Sequence, residues 1–294
     1  FASFTYTCQL FFLGTGTFCP TESNCQNLWQ ILASRDIPML ELYHDWDSLM
    51  SFKVRVCLAE KGLPWTSRLI QLTRFEHLNE KYLQLNPNGV VPTLVHDGES
   101  IIESSVINEY LDDAFPIPTL RPTDLLERSR VRSWVKYGDD VLHHCVRPAT
   151  FELMIKPRLK LYTSVELEEL IASHPQPNRA DAYRKAAAAE IDYDSIGHTA
   201  RVAEEVFRRM EFRLKMTKWL AADTFSLADV MSMPFVDRIE HLGFRFLIER
   251  RPSVLDWVER LKARDSYQSS MPPIEDRLPS PSPDAAVKLA ELFK

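Results

Sequence analysis

The hydrophobic pattern of the first half of the chain changes period several times. Apolar and polar residues alternate over 40–43, which predicts a short strand. Apolar residues then recur at helical spacing over 51–61, with Ser51 as the expected N-cap and Gly62 as the expected residue after the helix end. A second strand is predicted over 67–72. A helix between two strands forms a βαβ unit, so we expect parallel strands and a right-handed crossover.

The same half closes with a predicted hairpin and a helix. After a less regular stretch, strands over 92–96 and 99–102 flank the dipeptide Asp97-Gly98, which is typical of a two-residue turn. A helix over 105–115 follows, and prolines directly after it end it. The order βαβ, irregular helix, ββα predicts an α/β domain over 39–118.

Strand signals disappear in the second half, which we predict to be an all-α domain over 123–270. Its helices are expected over 125–146, 166–173, 180–191 and 195–219, with two more that begin at a capping box over 226–229 and at Pro252.

The two ends of the chain do not follow these patterns. Residues 1–38 show no clear period, and the first methionine, Met39, stands at the start of the first predicted strand. We expect 1–38 to be an upstream extension or mis-called leader, with a genuine disordered leader as the alternative. Residues 271–294 are expected to be a proline-rich tail with a short helix over 284–293.

Composition narrows the class of protein. The 294 residues are 45% hydrophobic and 26% charged, as in ordinary globular proteins. A net charge of -6 leaves no basic excess to neutralise phosphates, so we expect no nucleic-acid partner. No apolar run approaches the roughly 20 residues that span a membrane. Five irregularly spaced cysteines favour a reducing compartment, and we expect a cytoplasmic location.

Five short motifs follow one another in a fixed order. Each is weak alone, but together with the switch to an all-helical half they resemble the glutathione transferase family over about 39–267. The motifs are SLMSFKVR (48–55), AEKG (59–62), NPNGVVPTL (86–94), ESSVI (103–107) and SLAD (226–229). The resemblance implies a thioredoxin-like glutathione-binding domain, an all-α domain, glutathione as co-substrate and a homodimer.

The resemblance also implies the residues that bind glutathione. Val91 and Pro92 match the family's cis-proline position, where the backbone of Val91 would pair with the cysteinyl part; an ordinary trans proline is the alternative. Glu103 and Ser104 match the pair that holds the ammonium and carboxylate of the γ-glutamyl part, against the alternative of a plain helix cap. His77 resembles a position that reaches the glycine carboxylate, against the alternative of a surface histidine.

Val90 departs from the family pattern. The family often has a polar or basic residue there, so one contact to the glycine carboxylate is missing. Lys53 or Arg74 is a candidate to replace it.

The expected chemistry is stabilisation of the glutathione thiolate. A thiol with a pKa of about 8.5 is only about 3% ionised at pH 7, and lowering that pKa to about 6.5 requires roughly 2.7 kcal/mol. A hydroxyl that donates to the sulfur supplies about 1.5–3 kcal/mol, and a helix N-terminus adds about 0.3–1 kcal/mol. No metal is needed. The resemblance implies Ser48 or Ser51 in this role, with Ser48 preferred and Tyr43 as a third candidate.

The sequence gives less support to a cysteine redox role or a metal site. A redox role would need a thiol in the loop or at the helix start, whereas Cys57 lies mid-helix on the apolar face and is expected in the core. Adjacent helical residues point in different directions, so His143, His144 and Cys145 do not predict a metal site.

We therefore expect a glutathione thiolate that attacks an electrophilic carbon in a mostly apolar pocket between the domains, by conjugation or ether cleavage. Trp134 and Tyr137 are candidates for that pocket, although core packing explains them equally well. The spacing resembles the bacterial β-aryl-etherase-like branch more than animal detoxification classes. A maleylacetoacetate-isomerase-like enzyme and a non-catalytic interaction module of the same fold are the alternatives.

Overall fold

The computed structural model describes residues 39–188, 190–277 and 281. The predictions for 1–38 and for a helix over 284–293 lie outside these residues. Of the predicted tail, the described part contains one 3-10 turn, Ile274–Asp276.

Four strands form one mixed sheet in the order β2-β1-β3-β4. β1 runs parallel to β2 and antiparallel to β3, and β4 is antiparallel to β3, which confirms the predicted βαβ and hairpin units. Asp97 and Gly98 between the last two strands both have positive φ, at 50° and 90°, as a primed two-residue turn requires. The strands are β1 (Leu40–His44), β2 (Thr66–Leu69), β3 (Thr93–His96) and β4 (Glu99–Ile101).

The second strand ends earlier than predicted, at Leu69 rather than at position 72. The N–H of Leu72 donates to Oδ2 of Asp45 at 2.8 Å instead of joining the sheet. A 3-10 turn, Leu72–Arg74, begins there and a second, Glu76–Leu78, follows.

Three helices accompany the sheet: α1 (Leu49–Glu60), α2 (Glu80–Leu83) and α3 (Ser104–Ala114). The N-cap prediction for α1 was wrong, because α1 begins two residues earlier than expected and its N-cap is Ser48. Ser48 Oγ accepts the N–H of Ser51 at 3.2 Å, so Ser51 lies within the first turn. Gly62, with φ of 60°, follows the helix end as predicted.

The first long helix of the second half extends well beyond the predicted end at 146. It runs from position 125 to 159 as α4 (Leu125–Tyr137), a π segment Gly138–Leu142, α5 (His143–Thr150), a second π segment Phe151–Ile155 and α6 (Lys156–Leu159). Pro148 lies inside α5 and has no N–H to give. The second π segment, Phe151–Ile155, follows it, and the chain continues as a helix to Leu159.

The remaining helices enclose the rest of the molecule. The capping box of Ser226 and Asp229 opens α10, and Pro252 begins α12, both as predicted. The helices are α7 (Ser164–Ile171), α8 (Pro177–Ala188), α9 (Tyr193–Leu214), α10 (Leu227–His241), α11 (Phe246–Glu249), α12 (Pro252–Lys262) and α13 (Asp265–Ser270). Within the described ranges, no helix combines the length and apolarity that crossing a membrane requires.

Two hydrophobic clusters hold these elements. The larger one runs without interruption from the sheet, α1 and α3 into the helical half. The smaller one joins Phe75 and Leu78 of the 3-10 segment to Leu159, Leu167 and Ile171 of α6 and α7, with further contacts from α8. The α7–α8 hairpin is thereby packed against the segment that follows β2, and α8 forms part of the wall of a cleft. The predicted domain boundary near 118–123 stays a prediction.

Candidate active site

A cleft of about 520 Å³ lies between the sheet-bearing half and helices α5, α6 and α8. Its walls bring together six of the seven residues predicted for the site. These are Ser48, His77, Val91, Pro92, Glu103 and Ser104.

Ser48 lies where α1 opens onto this cleft. Its Oγ accepts the N–H of Ser51, and its hydroxyl hydrogen remains available for a ligand. Leu49 and Met50 also line the cleft, and among the described residues their N–H groups have no hydrogen-bond partner. The N-terminus of α1 therefore presents a hydroxyl and two free N–H donors to any anion in the cleft.

The two rival hydroxyls lie elsewhere. Ser51 is fully buried, its Oγ has no hydrogen-bond partner within the described ranges, and it does not line the cleft. Tyr43 belongs to β1, its ring lies 6.1 Å from that of Tyr82, and it too is absent from the cleft walls. Of the three candidates, only Ser48 has access to the cleft.

The Val91–Pro92 peptide bond is cis, as predicted. The neighbouring carbonyl of Val90 accepts hydrogen bonds from Tyr82 Oη at 2.6 Å and from Asn86 Nδ2 at 2.8 Å, which fixes the turn before β3. In the described part of the chain, the N–H and C=O of Val91 have no hydrogen-bond partner. They are available to pair with the backbone of a bound peptide.

Glu103 and Ser104 lie at the start of α3. Glu103 has φ of 69° and ψ of 107°, a conformation that non-glycine residues rarely adopt and that marks a local constraint. Glu103 is the N-cap residue of α3, but its side chain makes no capping hydrogen bond. The carboxylate of Glu103 and the first turn of α3 meet on the cleft wall.

His77 is buried rather than on the surface, with an exposed fraction of 2%. Burial, aided by His174 and Arg179, lowers the pKa of His77 to about 3, so the imidazole is neutral at pH 7. Its Nδ1 has no hydrogen-bond partner among the described residues. His77 is able to give or accept a hydrogen bond in the cleft but brings no charge.

Lys53 and Arg74 were the candidates to replace the polar side chain that is missing at position 90. Neither of them lines the cleft. Lys53 is fully buried, and its Nζ donates to Ser105 Oγ at 2.8 Å and to Asp139 Oδ1 at 3.2 Å. Burial lowers the pKa of Lys53 to about 8. Arg74 is exposed on the 3-10 turn that follows β2.

The sequence analysis did not predict the cleft residues that the helical half contributes. Arg147 and Phe151, near the end of α5, and Arg179 and Tyr183, on α8, line the cleft. Trp134 and Tyr137 do not line it. Arg209 instead lies over their rings, at 5.3 Å and 4.2 Å from the two centroids.

Cys57 and Cys145 are buried, as expected for Cys57. Burial raises the pKa of Cys57 and raises that of Cys145 to about 12, so neither is a thiolate at neutral pH. His143 and His144 are neighbours with rings 5.6 Å apart. Within the described ranges, no three histidine, cysteine or acidic side chains are grouped as metal ligands.

Comparison with known proteins agrees with this geometry. The N-terminal domain model of glutathione S-transferases matches residues 47–114, and the C-terminal domain model matches residues 195–265. Protein LigF of Sphingobium sp. (strain NBRC 103272 / SYK-6) is 30% identical over 243 residues, which cover 78% of this chain and 91% of LigF. The chain belongs to the glutathione S-transferase family. It is accordingly a glutathione-dependent enzyme, with glutathione as its co-substrate.

Two further comparisons bear on this transferase. The crystal structure of the β-etherase LigF from Sphingobium sp. strain SYK-6 superposes with a TM-score of 0.74 at 29% identity, covering 79% of this chain and 98% of that one. The maleylacetoacetate isomerase of Pseudomonas aeruginosa is 44% identical, but only over 96 residues, or 32% of this chain and 45% of the isomerase. The thioredoxin-like domain with an all-α domain is thus confirmed as the fold.

Proposed function

We propose that this transferase holds the sulfur of glutathione as a thiolate at Ser48 and directs it at an electrophilic carbon that bears an ether or another leaving group. One observation carries the proposal: the Ser48 hydroxyl caps α1 on the cleft wall, beside the free N–H groups of Leu49 and Met50. A hydroxyl and a helix N-terminus are the donors that an isolated thiolate needs.

The other predicted residues are arranged to hold the rest of glutathione. Glu103 would pair with the ammonium of the γ-glutamyl part, while Ser104 and the first turn of α3 would bind its carboxylate. The unpaired backbone groups of Val91 would form two hydrogen bonds with the cysteinyl part. His77 would contribute a hydrogen bond at the glycine end.

The reaction we favour is thiolytic ether cleavage. The thiolate forms a C–S bond with the carbon that carries the aryl ether oxygen, the C–O bond breaks, and the aryloxide leaves and takes a proton from solvent. Similarity to a β-etherase along almost its whole length supports this choice. The isomerase alternative has support over less than half of that relative. Displacement of chloride from an aryl ring would form the same C–S bond, by addition of the thiolate to the ring carbon followed by loss of chloride.

Substitution of the serines separates the candidates. Ser48→Ala removes the hydroxyl that stabilises the thiolate, and we expect kcat for a model aryl halide and a β-aryl ether to fall by about 10²–10³-fold. Ser51→Ala is expected to change kcat by less than about threefold. Steady-state kinetics on both variants, with retention on immobilised glutathione as a check of binding, makes the comparison.

Equal losses in the two variants, or full activity in Ser48→Ala, would contradict the assignment. Retention of the wild type on glutathione without turnover of any electrophile would favour the non-catalytic interaction module. Homodimer formation and a cytoplasmic location stay predictions.

A further inference from the structure

Arg147 and Arg179, two of the four arginines that line the active-site cleft, have no acidic partner among the described residues. Arg147 lies on α5 and Arg179 on α8, and both are half-buried. The guanidinium of Arg147 lies 5.4 Å from the centroid of the Phe151 ring. No carboxylate of the described residues lies within ion-pair distance, 4.0 Å, of either arginine.

Arg179 is held in place by neutral groups. Its Nε donates to Gln176 Oε1 at 2.8 Å, and Gln176 Nε2 donates in turn to the backbone carbonyl of Asn88 at 3.2 Å. Asn88 belongs to the turn that precedes the cis proline. The terminal nitrogens of Arg179 are therefore positioned beside the glutathione-binding turn, and no described residue accepts a hydrogen bond from them.

The electrostatic environment favours an anion between these two side chains. Burial lowers the pKa of Arg179, and the neighbouring Arg147 lowers it further; Tyr183 and Glu103 act in the opposite direction. Two half-buried cations in one cleft, with no carboxylate of the described residues within ion-pair distance, are unfavourable. An anionic ligand that enters the cleft would offset this repulsion.

A third donor lies next to them. Tyr183 lines the cleft from α8, with its ring 5.1 Å from Phe75 and 5.6 Å from Phe151. Burial raises the pKa of Tyr183, so its hydroxyl stays protonated at neutral pH. Within the described ranges this hydroxyl has no hydrogen-bond partner, so it is free to donate to a ligand.

Another arginine of the same cleft, by contrast, has an acidic partner. Arg158 also lines the cleft, but its Nη1 lies 3.2 Å from Oδ2 of Asp47 in an ion pair. Arg238, on the same wall, donates from Nη2 to the backbone carbonyl of Asp47 at 2.8 Å. The terminal nitrogens of Arg147 and Arg179 have no such acceptor among the described residues.

We propose that Arg147, Arg179 and Tyr183 form a carboxylate-binding subsite of the cleft. Planar guanidinium groups bind carboxylates through paired hydrogen bonds, and the tyrosine hydroxyl adds a third donor. This inference rests on the proposed function, because the cleft is the same. The carboxylate comes either from the glycine end of glutathione, for which Val90 offers no polar side chain, or from an acidic electrophile.

Calorimetry with two matched pairs of ligands tests the subsite and its source. Glutathione is compared with its glycyl ethyl ester, and 4-nitrobenzoate with 4-nitrobenzamide, so that each pair differs in one carboxylate. Hydrogen bonds to a charged group of this kind change Kd by about 10–100-fold. We expect the wild type to prefer the acid by that factor in one of the pairs, and that pair identifies the source.

The double variant Arg147→Met/Arg179→Met is expected to lose this preference. Methionine keeps the length of the side chain and removes the repulsion, so folding should be retained, as a thermal melt will verify. Arg250→Met is the matched control, because Arg250 also lies over a phenylalanine ring, at 5.1 Å from Phe246, but outside the cleft. It is expected to keep the wild-type preference.

Absence of any acid preference in the wild type, or its persistence in the double variant, would overturn the subsite. A failure of the proposed role of Ser48 would be distinguishable from a failure of the subsite. In that case Ser48→Ala would keep the activity of the wild type, while the acid preference would still be present and would still depend on the two arginines.

Discussion

At the scale of single residues, His44 shows how the sheet is joined to the helix that carries Ser48. His44 ends β1 and is fully buried. Its Nε2 lies 2.8 Å from Ser67 Oγ on β2, and its Nδ1 lies 3.3 Å from Nη1 of Arg55 on α1. Burial, together with Arg55, lowers the pKa of His44 to about 3.

This predicts a loss of stability in acid. The unfolded chain binds a proton at His44 below its ordinary pKa of 6.5, whereas the folded chain does so only near pH 3. The unfolded state therefore binds more protons in that window, and His44 contributes a loss of roughly 2 kcal/mol in the free energy of unfolding between pH 6.5 and pH 5. Urea unfolding at the two pH values measures it.

In His44→Gln the decrease from pH 6.5 to pH 5 should be smaller by about that amount, roughly 2 kcal/mol. His77 and His143, whose pKa values burial also lowers, act in the same direction in both proteins and cancel from the comparison. His198→Gln on the exposed face of α9 is the control. Identical pH slopes for the wild type and His44→Gln would refute this account of His44.

At the scale of elements, the long helix from 125 to 159 depends on its two π segments. Gly138 begins the first one and packs against α10. A Cβ built at Gly138 would lie 2.2 Å from Cγ and 2.6 Å from Sδ of Met231. An alanine there would force the side chain of Met231 to move.

Gly138→Ala is accordingly expected to destabilise the protein by about 1–3 kcal/mol, although alanine has the higher helix propensity. Gly197→Ala on α9 is the matched control, since the nearest atom to its Cβ is the flexible Nη1 of Arg201 at 3.4 Å. That change should stabilise by roughly 0.5–1 kcal/mol. Urea denaturation of both variants gives the two values, and stabilisation by both would show that Gly138 is not crowded.

Some parts of the fold and of the candidate site could be predicted from the sequence, and others could not. Ser48, the cis proline and Glu103 were predictable because each is fixed by the local backbone of a short motif. The end of the long helix was not predictable. Two π segments interrupt the α-helical period between 125 and 159, and Pro148 lies between them, so the apolar spacing does not show that the helix continues. Arg147 and Arg179 were missed because they lie on separate helices, and their shared cleft depends on packing that periodicity does not specify.

At the scale of the whole molecule, the last described helix returns to the first. Arg55 Nε of α1 donates to the carbonyl of Ser270 at the end of α13 at 3.0 Å. The rings of Phe52 on α1 and Tyr267 on α13 lie 5.7 Å apart. The helix that Ser48 caps is therefore held by the sheet on one side and by the far end of the helical half on the other.

Both halves of the molecule contribute residues to the cleft. The sheet-bearing half supplies Ser48, the cis-proline turn and Glu103, which are suited to a peptide. The helical half supplies Arg147 and Arg179, which distinguish ligands by charge. The electrophile would enter between them, so its identity depends on the wall that the family motifs do not contain.

The central claim is that Ser48 stabilises the thiolate of bound glutathione, and the pKa of that thiol measures it most directly. Ultraviolet difference titration of the glutathione complex should give a thiol pKa about two units below the value of roughly 8.5 in free solution. In Ser48→Ala the pKa should rise by about 1–2 units. A bound thiol that titrates as in free solution, or one that Ser48→Ala leaves unchanged, would contradict the account.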